Sequence, residues 1–247
     1  MNRYMEPPMN LYYQAADVSR LAYLGANAFK EAGFEDICVI DDPEGGTEAY
    51  VVEDSHYTYL VFTGTNEFDD LKTDLRFLKK EAFSGSQLHR GFWEAWRDVS
   101  DVVATEVMER RLAMVNGHRE SKPFVYCGHS LGGALAQLAA ATHRPDHCIT
   151  FGAPPVGGKV FKKECEALPD TEFARFVLDG DPVPRLLKWN PTYRQVGTLF
   201  FFDRDMELHI NPSTWQMLKL RFPRFYDMDD HAIKWYRGAV HACGDEL

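Results

Sequence analysis

The sequence predicts an α/β fold in which a central, mostly parallel sheet is flanked by helices. Three observations carry that expectation. Segments with helical and strand periodicity alternate from residue 92 to residue 178. Short β-branched and aromatic runs, "DICVI", "TEAYVVE" and "YTYLVFTGT", precede them, separated by the turn-like "DDPEGG" and "DSH". Finally, "YCGHSLGGALAQL" puts a histidine, a serine and three glycines where an apolar strand turns directly into a helix.

In chain order, Leu11, Ala15, Val18, Ala22, Ala26 and Phe29 share one face, predicting an amphipathic helix over 11–33 that ends near Gly33. The three strand-like runs follow. Helices are then expected near 92–115, 131–142 and 156–167, and strands at 123–127, 147–151 and 172–178. Beyond these come a strand at "TLFFF", a proline-bounded stretch over 212–226 and a final helix near 229–242. No repeat, low-complexity segment or linker interrupts the 247 residues, so one domain, 1–247, is expected.

Composition narrows the function. Apolar residues make up 45% and charged residues 26%, and no apolar run reaches the length of a membrane span, so no integral membrane segment is expected. A net charge of -10 argues against nucleic-acid partners, since long-range repulsion opposes approach to a polyanion. The opening "MNRYMEPPMNLYY" lacks a basic start followed by an apolar core, and five scattered cysteines suit free thiols in a reducing compartment. A cytoplasmic location is the expectation, with secretion left open should the sequence be a mature fragment.

The serine carries the chemistry. A hydroxyl barely ionises at neutral pH, so a nucleophilic serine needs an adjacent base and a position from which it projects. In Gly128-His129-Ser130-Leu131-Gly132 the G-x-S-x-G spacing sits between a strand and a helix, the setting of a nucleophile elbow. The plainer reading of Ser130 is a helix N-cap.

A triad on such a sheet follows the order serine, acid, histidine. After Ser130, His143 and His147 come too soon to leave room for the acid strand, which leaves His209, His231 and His241. His231, after Asp229 and Asp230 at a helix start, is best placed for a loop to aim its ring at the sheet edge. For the acid, "EFARFVLDGDPVPRLL" offers Asp179 and Asp181. Pro182 biases Asp181 toward an extended backbone, whereas Asp179 suits a D-G turn.

The oxyanion formed on attack needs preorganised N–H donors. The Leu131 N–H is one candidate. Thr65, in the glycine-bearing turn that ends "LVFTGT", is the other, and it also reads as a cap for the next helix. Asp203, Asp205 and His209 gather oxygen and imidazole groups but are read as a solvated loop. No metal and no cofactor is expected.

In these residues the sequence resembles the class 3 lipases of the α/β-hydrolase superfamily. The matching pieces are "VFTGTNEFDDLKTDL", "HRGFWEAW", "VYCGHSLGGALAQLAA", "TFGAPPVG", "DGDPVPRLL" and "DDHAIKWY", in the family's order. The resemblance implies an α/β-hydrolase fold, Ser130, Asp181 and His231 as catalytic residues, and Thr65 and Leu131 as the oxyanion hole. It also implies a lid-like helix after the oxyanion strand. There, Phe68, Leu71, Leu75 and Leu78 fall on one helical face, which equally describes a permanently docked surface helix. Trp215 and Leu218 are further candidates for the border of an acyl groove.

The function expected is a serine carboxylic ester hydrolase acting on lipid esters through an acyl-enzyme, with transient contact at a lipid–water interface. Phospholipase, short-chain esterase and aryl esterase activities are the nearest alternatives. A non-catalytic interaction protein that retained the fold is the alternative from a different class.

Overall fold

The computed structural model describes residues 10–42, 46–64, 79–82, 86–186, 192–220 and 229–244. The chain opens with α1 (Asn10–Ala22) and α2 (Ala26–Glu31), followed by β1 (Ile37–Asp42), β2 (Thr47–Glu53) and β3 (Thr58–Phe62). A hairpin of β4 (Lys79–Ala82) and β5 (Ser86–His89) leads into the long helix α3 (Arg90–Val115). The sequence then alternates through β6 (Phe124–His129), α4 (Leu131–His143), β7 (His147–Phe151), α5 (Lys159–Glu166) and β8 (Glu172–Leu178). It closes with β9 (Thr198–Phe202), β10 (Leu208–Ile210), α6 (Thr214–Leu220), a short 3-10 turn (Asp229–His231) and α7 (Ile233–Ala242).

Eight strands form one sheet in the order β1-β2-β3-β6-β7-β8-β9-β10. The five from β3 to β9 pair in parallel, and antiparallel strands close both edges. The mostly parallel sheet is therefore as expected. Two-residue periodicity in β6 divides the core: Phe124 and Tyr126 join the layer shared with α3, α4 and α5, while Val125 and Cys127 join the layer shared with α1 and α7. Because both faces are covered, all six residues of β6 are buried, which explains its continuous apolar reading.

Helix α3 buries Phe92, Trp96, Val99, Val103 and Val107, a single stripe at helical spacing. At its far end Arg110, 4% exposed, meets Glu106, Asp36 and Glu53 and ties the helix to the β1–β2 edge. Among the described residues, no helix is long and apolar enough to cross a membrane.

Several expected boundaries are corrected. The single helix over 11–33 is two, because the chain turns at Tyr23 and Leu24 and Gly25 adopts φ 84° before α2. The break lets Phe29 pack against Tyr50 at a ring separation of 5.0 Å, and it places Tyr23 in a turn. The final helix starts at Ile233 rather than 229, since Ala232 is extended and His231 belongs to the preceding 3-10 turn. Helix 156–167 shortens to α5, with a loop over 152–158 before it. Of the stretch expected as a helix after Thr65, Lys79 and Lys80 instead begin strand β4.

Candidate active site

Everything converges at the carboxyl ends of the parallel strands. Strand β6 ends at His129 and α4 begins at Leu131, so Ser130 makes the whole turn, with φ 57° and ψ −127°. A non-glycine residue there is strained, and it persists only where its surroundings hold it. They do. The Ser130 N–H donates to the Phe151 carbonyl at 2.9 Å, and its own carbonyl accepts from Gly133 and Ala134.

The glycines are required by close approach. A Cβ on Gly128 would fall 2.4 Å from the Gly132 backbone, and one on Gly132 would fall 2.1 Å from the Phe62 carbonyl oxygen. Helix α4 thus lies against the ends of β3 and β6, with its first N–H groups, Leu131 included, beside the serine. Such groups lack intrahelical acceptors, and the helix dipole adds partial positive charge.

The candidate acid and the candidate base meet across the loops after β8 and before α7. His231 Nδ1 lies 2.7 Å from Asp181 Oδ2. Asp181 is fully buried, and its other oxygen accepts the Val183 N–H at 2.7 Å. The Tyr236 hydroxyl also donates to Oδ2, and burial and the neighbouring carboxylate push its pKa well up, which keeps it a donor. A buried carboxylate with three donors is satisfied as an anion. Taking the His231 proton on Nδ1, facing that anion, leaves Nε2 as the basic nitrogen.

Asp179 has a different role. It is buried in ion pairs with Arg185 at 3.1 Å and Arg204 at 3.4 Å, bracing the loop rather than facing the histidine. His209 lies on β10 and His241 on α7; His209 contacts Asp203.

Room for the Asp181–His231 pair comes from Gly152, just beyond β7 with φ 60°. A Cβ there would fall 2.7 Å from Asp181 Oδ2 and 3.0 Å from His231 Cε1. In the sequence, Gly152 is marked by its position in "TFGAPPVG", directly after the strand that neighbours the serine strand. Tyr236 and Tyr23 are further residues at the site that sequence reasoning misses. Tyr236 follows His231 by five residues in the quoted "DDHAIKWY", whereas Tyr23 carried no local signal.

His129 links the serine turn to His231. Its ring lies 4.4 Å from the His231 ring, and its Nε2 is 2.6 Å from the His231 carbonyl oxygen. Burial, and then the proximity of His231, hold the pKa of His129 well below that of an ordinary histidine, so the ring is neutral.

Thr65, Phe68, Leu71, Leu75 and Leu78 lie outside the described residues, as does the side chain of Leu218. The strand leading to Thr65 is anchored at Thr63, whose N–H and hydroxyl both donate to the Glu48 carbonyl. Trp215 on α6 is 77% exposed.

The loop read as solvated at Asp203, Asp205 and His209 is partly buried. Asp203 Oδ1 accepts the N–H groups of Asp205 and Glu207, and Oδ2 lies 2.8 Å from His209 Nε2. Asp203, Glu207 and His209 bring ligand-type atoms within 4.8 Å of one another, an arrangement these hydrogen bonds account for as a turn.

Comparison with known proteins gives a consistent result. The model of the family described as "Lipase (class 3)" matches residues 59–190. The chain is 31% identical over 166 residues to secreted mono- and diacylglycerol lipase 1 of Fusarium solani, covering 64% of this chain and 48% of that protein. It is 30% identical over 172 residues to the chloroplastic phospholipase A1 PLIP2 of Arabidopsis thaliana, covering 64% of this chain and 23% of that protein. The matched region therefore spans about half of the first relative and less of the second. Among solved structures, a lipase from Rhizopus microsporus var. chinensis superposes with a TM-score of 0.76 at 21% identity, covering 90% of this chain and 85% of that one. Lipase II from Rhizopus niveus gives 0.74 at 24% identity, covering 90% and 92%. At these identities the structural likeness establishes the α/β-hydrolase architecture.

Proposed function

The chain belongs to the class 3 lipase family, and from that membership we propose that it is a serine-dependent carboxylic ester hydrolase acting on lipid esters. The observation that carries this reading is the 2.7 Å Asp181–His231 pair, whose histidine ring lies 4.4 Å from that of His129, the neighbour of a serine fixed in a strained strand-to-helix turn. Ser130 Oγ attacks the ester carbonyl while His231 Nε2 takes its proton. Asp181 keeps the ring oriented and stabilises the imidazolium that forms. Negative charge developing on the carbonyl oxygen is met by the Leu131 N–H at the start of α4 and by Thr65 beyond β3. Collapse of the tetrahedral species expels the alcohol, which receives its proton from His231 and leaves an acyl group on Ser130. Water, deprotonated by the same histidine, then releases the carboxylic acid.

The substrate class rests on kinship. One relative's name specifies mono- and diacylglycerol and another's phospholipid, which supports an acyl-lipid substrate and keeps phospholipase and short-chain or aryl esterase activity as alternatives. The exposed Trp215 suits transient contact with a lipid–water interface. A panel of p-nitrophenyl esters from acetyl to palmitoyl, emulsified acylglycerols and phosphatidylcholine vesicles tests the reading against Ser130→Ala. Hydrolysis that rises with chain length and vanishes in the variant supports it. Activity that survives in Ser130→Ala overturns the mechanism, and activity confined to short soluble esters overturns the lipid assignment.

A further inference from the structure

Behind Ser130 runs a line of hydrogen bonds that takes no part in the proton transfers. Its direction follows from the acceptors. The His231 carbonyl can only accept, so His129 must carry its proton on Nε2 to make the 2.6 Å contact. That leaves Nδ1 with a lone pair, and the Tyr23 hydroxyl, 2.9 Å away, must donate to it. The hydroxyl also lies against the backbone of Gly64, two residues beyond β3. The line therefore runs from Tyr23, packed against Gly64, through His129 to the carbonyl of His231. It spans the site from the approach to Thr65 to the proposed base, passing beside the serine.

We propose that Tyr23 and His129 are a positioning pair that sets His231 and the strand end at Gly64 relative to Ser130, so that the Tyr23 hydroxyl is needed for turnover although it touches no reacting atom. The inference rests on the reading of Ser130, Asp181 and His231 as the triad. Three further observations support it. A Cβ on Gly64 would fall 2.0 Å from the Tyr23 oxygen, so the glycine is what lets the strand end approach the hydroxyl. The Tyr23 and His129 rings meet edge-on at 5.8 Å, and the His129 and His231 rings at 4.4 Å, which leaves little freedom for either histidine. Tyr23 stands in the turn created by the break between α1 and α2, outside the family-matched residues 59–190. The N-terminal segment thereby reaches into the site. Burial raises the pKa of the hydroxyl and lowers that of His129, and both shifts preserve the donor-to-acceptor direction of the line.

Chains of this kind reinforce one another, so losing one link should loosen the rest. The test uses the full chain with Tyr23→Phe, His129→Asn and the double variant. Each is assayed for kcat and KM on p-nitrophenyl butyrate and for the rate of serine labelling by a fluorophosphonate, normalised to the folded fraction from near-UV circular dichroism. Tyr23→Phe is expected to lower kcat and the labelling rate together by about tenfold, the scale of one hydrogen bond, with KM within about twofold of wild type. His129→Asn, too short to reach the His231 carbonyl, should lose at least as much, and the double variant should lose no more than His129→Asn alone. A Tyr23→Phe labelling rate within about twofold of wild type would overturn the proposal. So would losses that multiply in the double variant, or a Tyr23→Phe chain that does not fold. Wild-type chain that takes up no label at all would instead overturn the triad reading, and the pair with it.

Discussion

Asp181 Oδ2 holds His231 Nδ1 at 2.7 Å, and the same oxygen accepts the hydroxyl of Tyr236. One carboxylate oxygen thus fixes the histidine ring and is itself fixed by a helix that starts two residues beyond that ring. The two aspartates of "DGD" should therefore separate cleanly. Asp181→Asn is expected to lower kcat by about 10³–10⁴-fold, because the amide no longer enforces the productive tautomer or stabilises the imidazolium. Asp179→Asn, which weakens ion pairs to Arg185 and Arg204, should cost stability while leaving kcat within a few-fold. Steady-state kinetics and urea titrations on both variants check this, and equal losses of kcat would move the acid to Asp179.

Removing only the Tyr236 hydroxyl leaves Asp181 with the Val183 N–H and His231 as donors. Tyr236→Phe should lower kcat by about tenfold with KM little changed, the scale of one charge-assisted hydrogen bond. An unchanged kcat would show that two donors suffice.

Arg110 is buried between Glu106, Asp36 and Glu53, and Arg119 shares the last two partners. Arg110→Leu leaves carboxylates facing an apolar side chain and is expected to cost about 3 kcal/mol, the lower end for a broken buried pair because Arg119 remains. Urea unfolding measures the loss. The specific activity of the folded fraction should not change, since this network lies at the far end of α3.

His143 supplies a pH dependence. Burial, and then the charge of Arg111, lower its pKa to about 4 in the folded chain, against an ordinary histidine value near 6.5. Between those values the unfolded chain binds more protons, so stability is full above about pH 6.5 and declines as pH falls toward 4, by at most about 3 kcal/mol from this group. His143→Asn, which does not titrate there, should show a shallower loss between pH 7 and pH 4.5 in urea titrations. Identical slopes would assign the acid sensitivity to other groups.

Much of this arrangement is legible in the sequence because the parallel strands are buried on both faces. The β7 and β8 runs stand out as short, mostly apolar segments, and both fall where periodicity places them. The serine turn is legible because three constraints coincide on a few residues: a strand end, a helix start and glycines that no Cβ could replace. The break at Gly25 was not, since the apolar stripe of α1 and α2 keeps helical spacing across it and only a backbone angle marks the turn. The hairpin of β4 and β5 was hidden by residues that suit a helix equally well. Tyr23 was illegible for a different reason: its partner His129 is 106 positions away, and a single hydroxyl leaves no local pattern.

The central claim is that Ser130 forms a covalent acyl intermediate, and intact-mass spectrometry of the chain after reaction with a p-nitrophenyl alkylphosphonate tests it most directly. One phosphonyl adduct per chain, mapped by peptide sequencing to Ser130 and absent in Ser130→Ala, is the predicted result. An adduct on another residue, or equal labelling of the alanine variant, would contradict it.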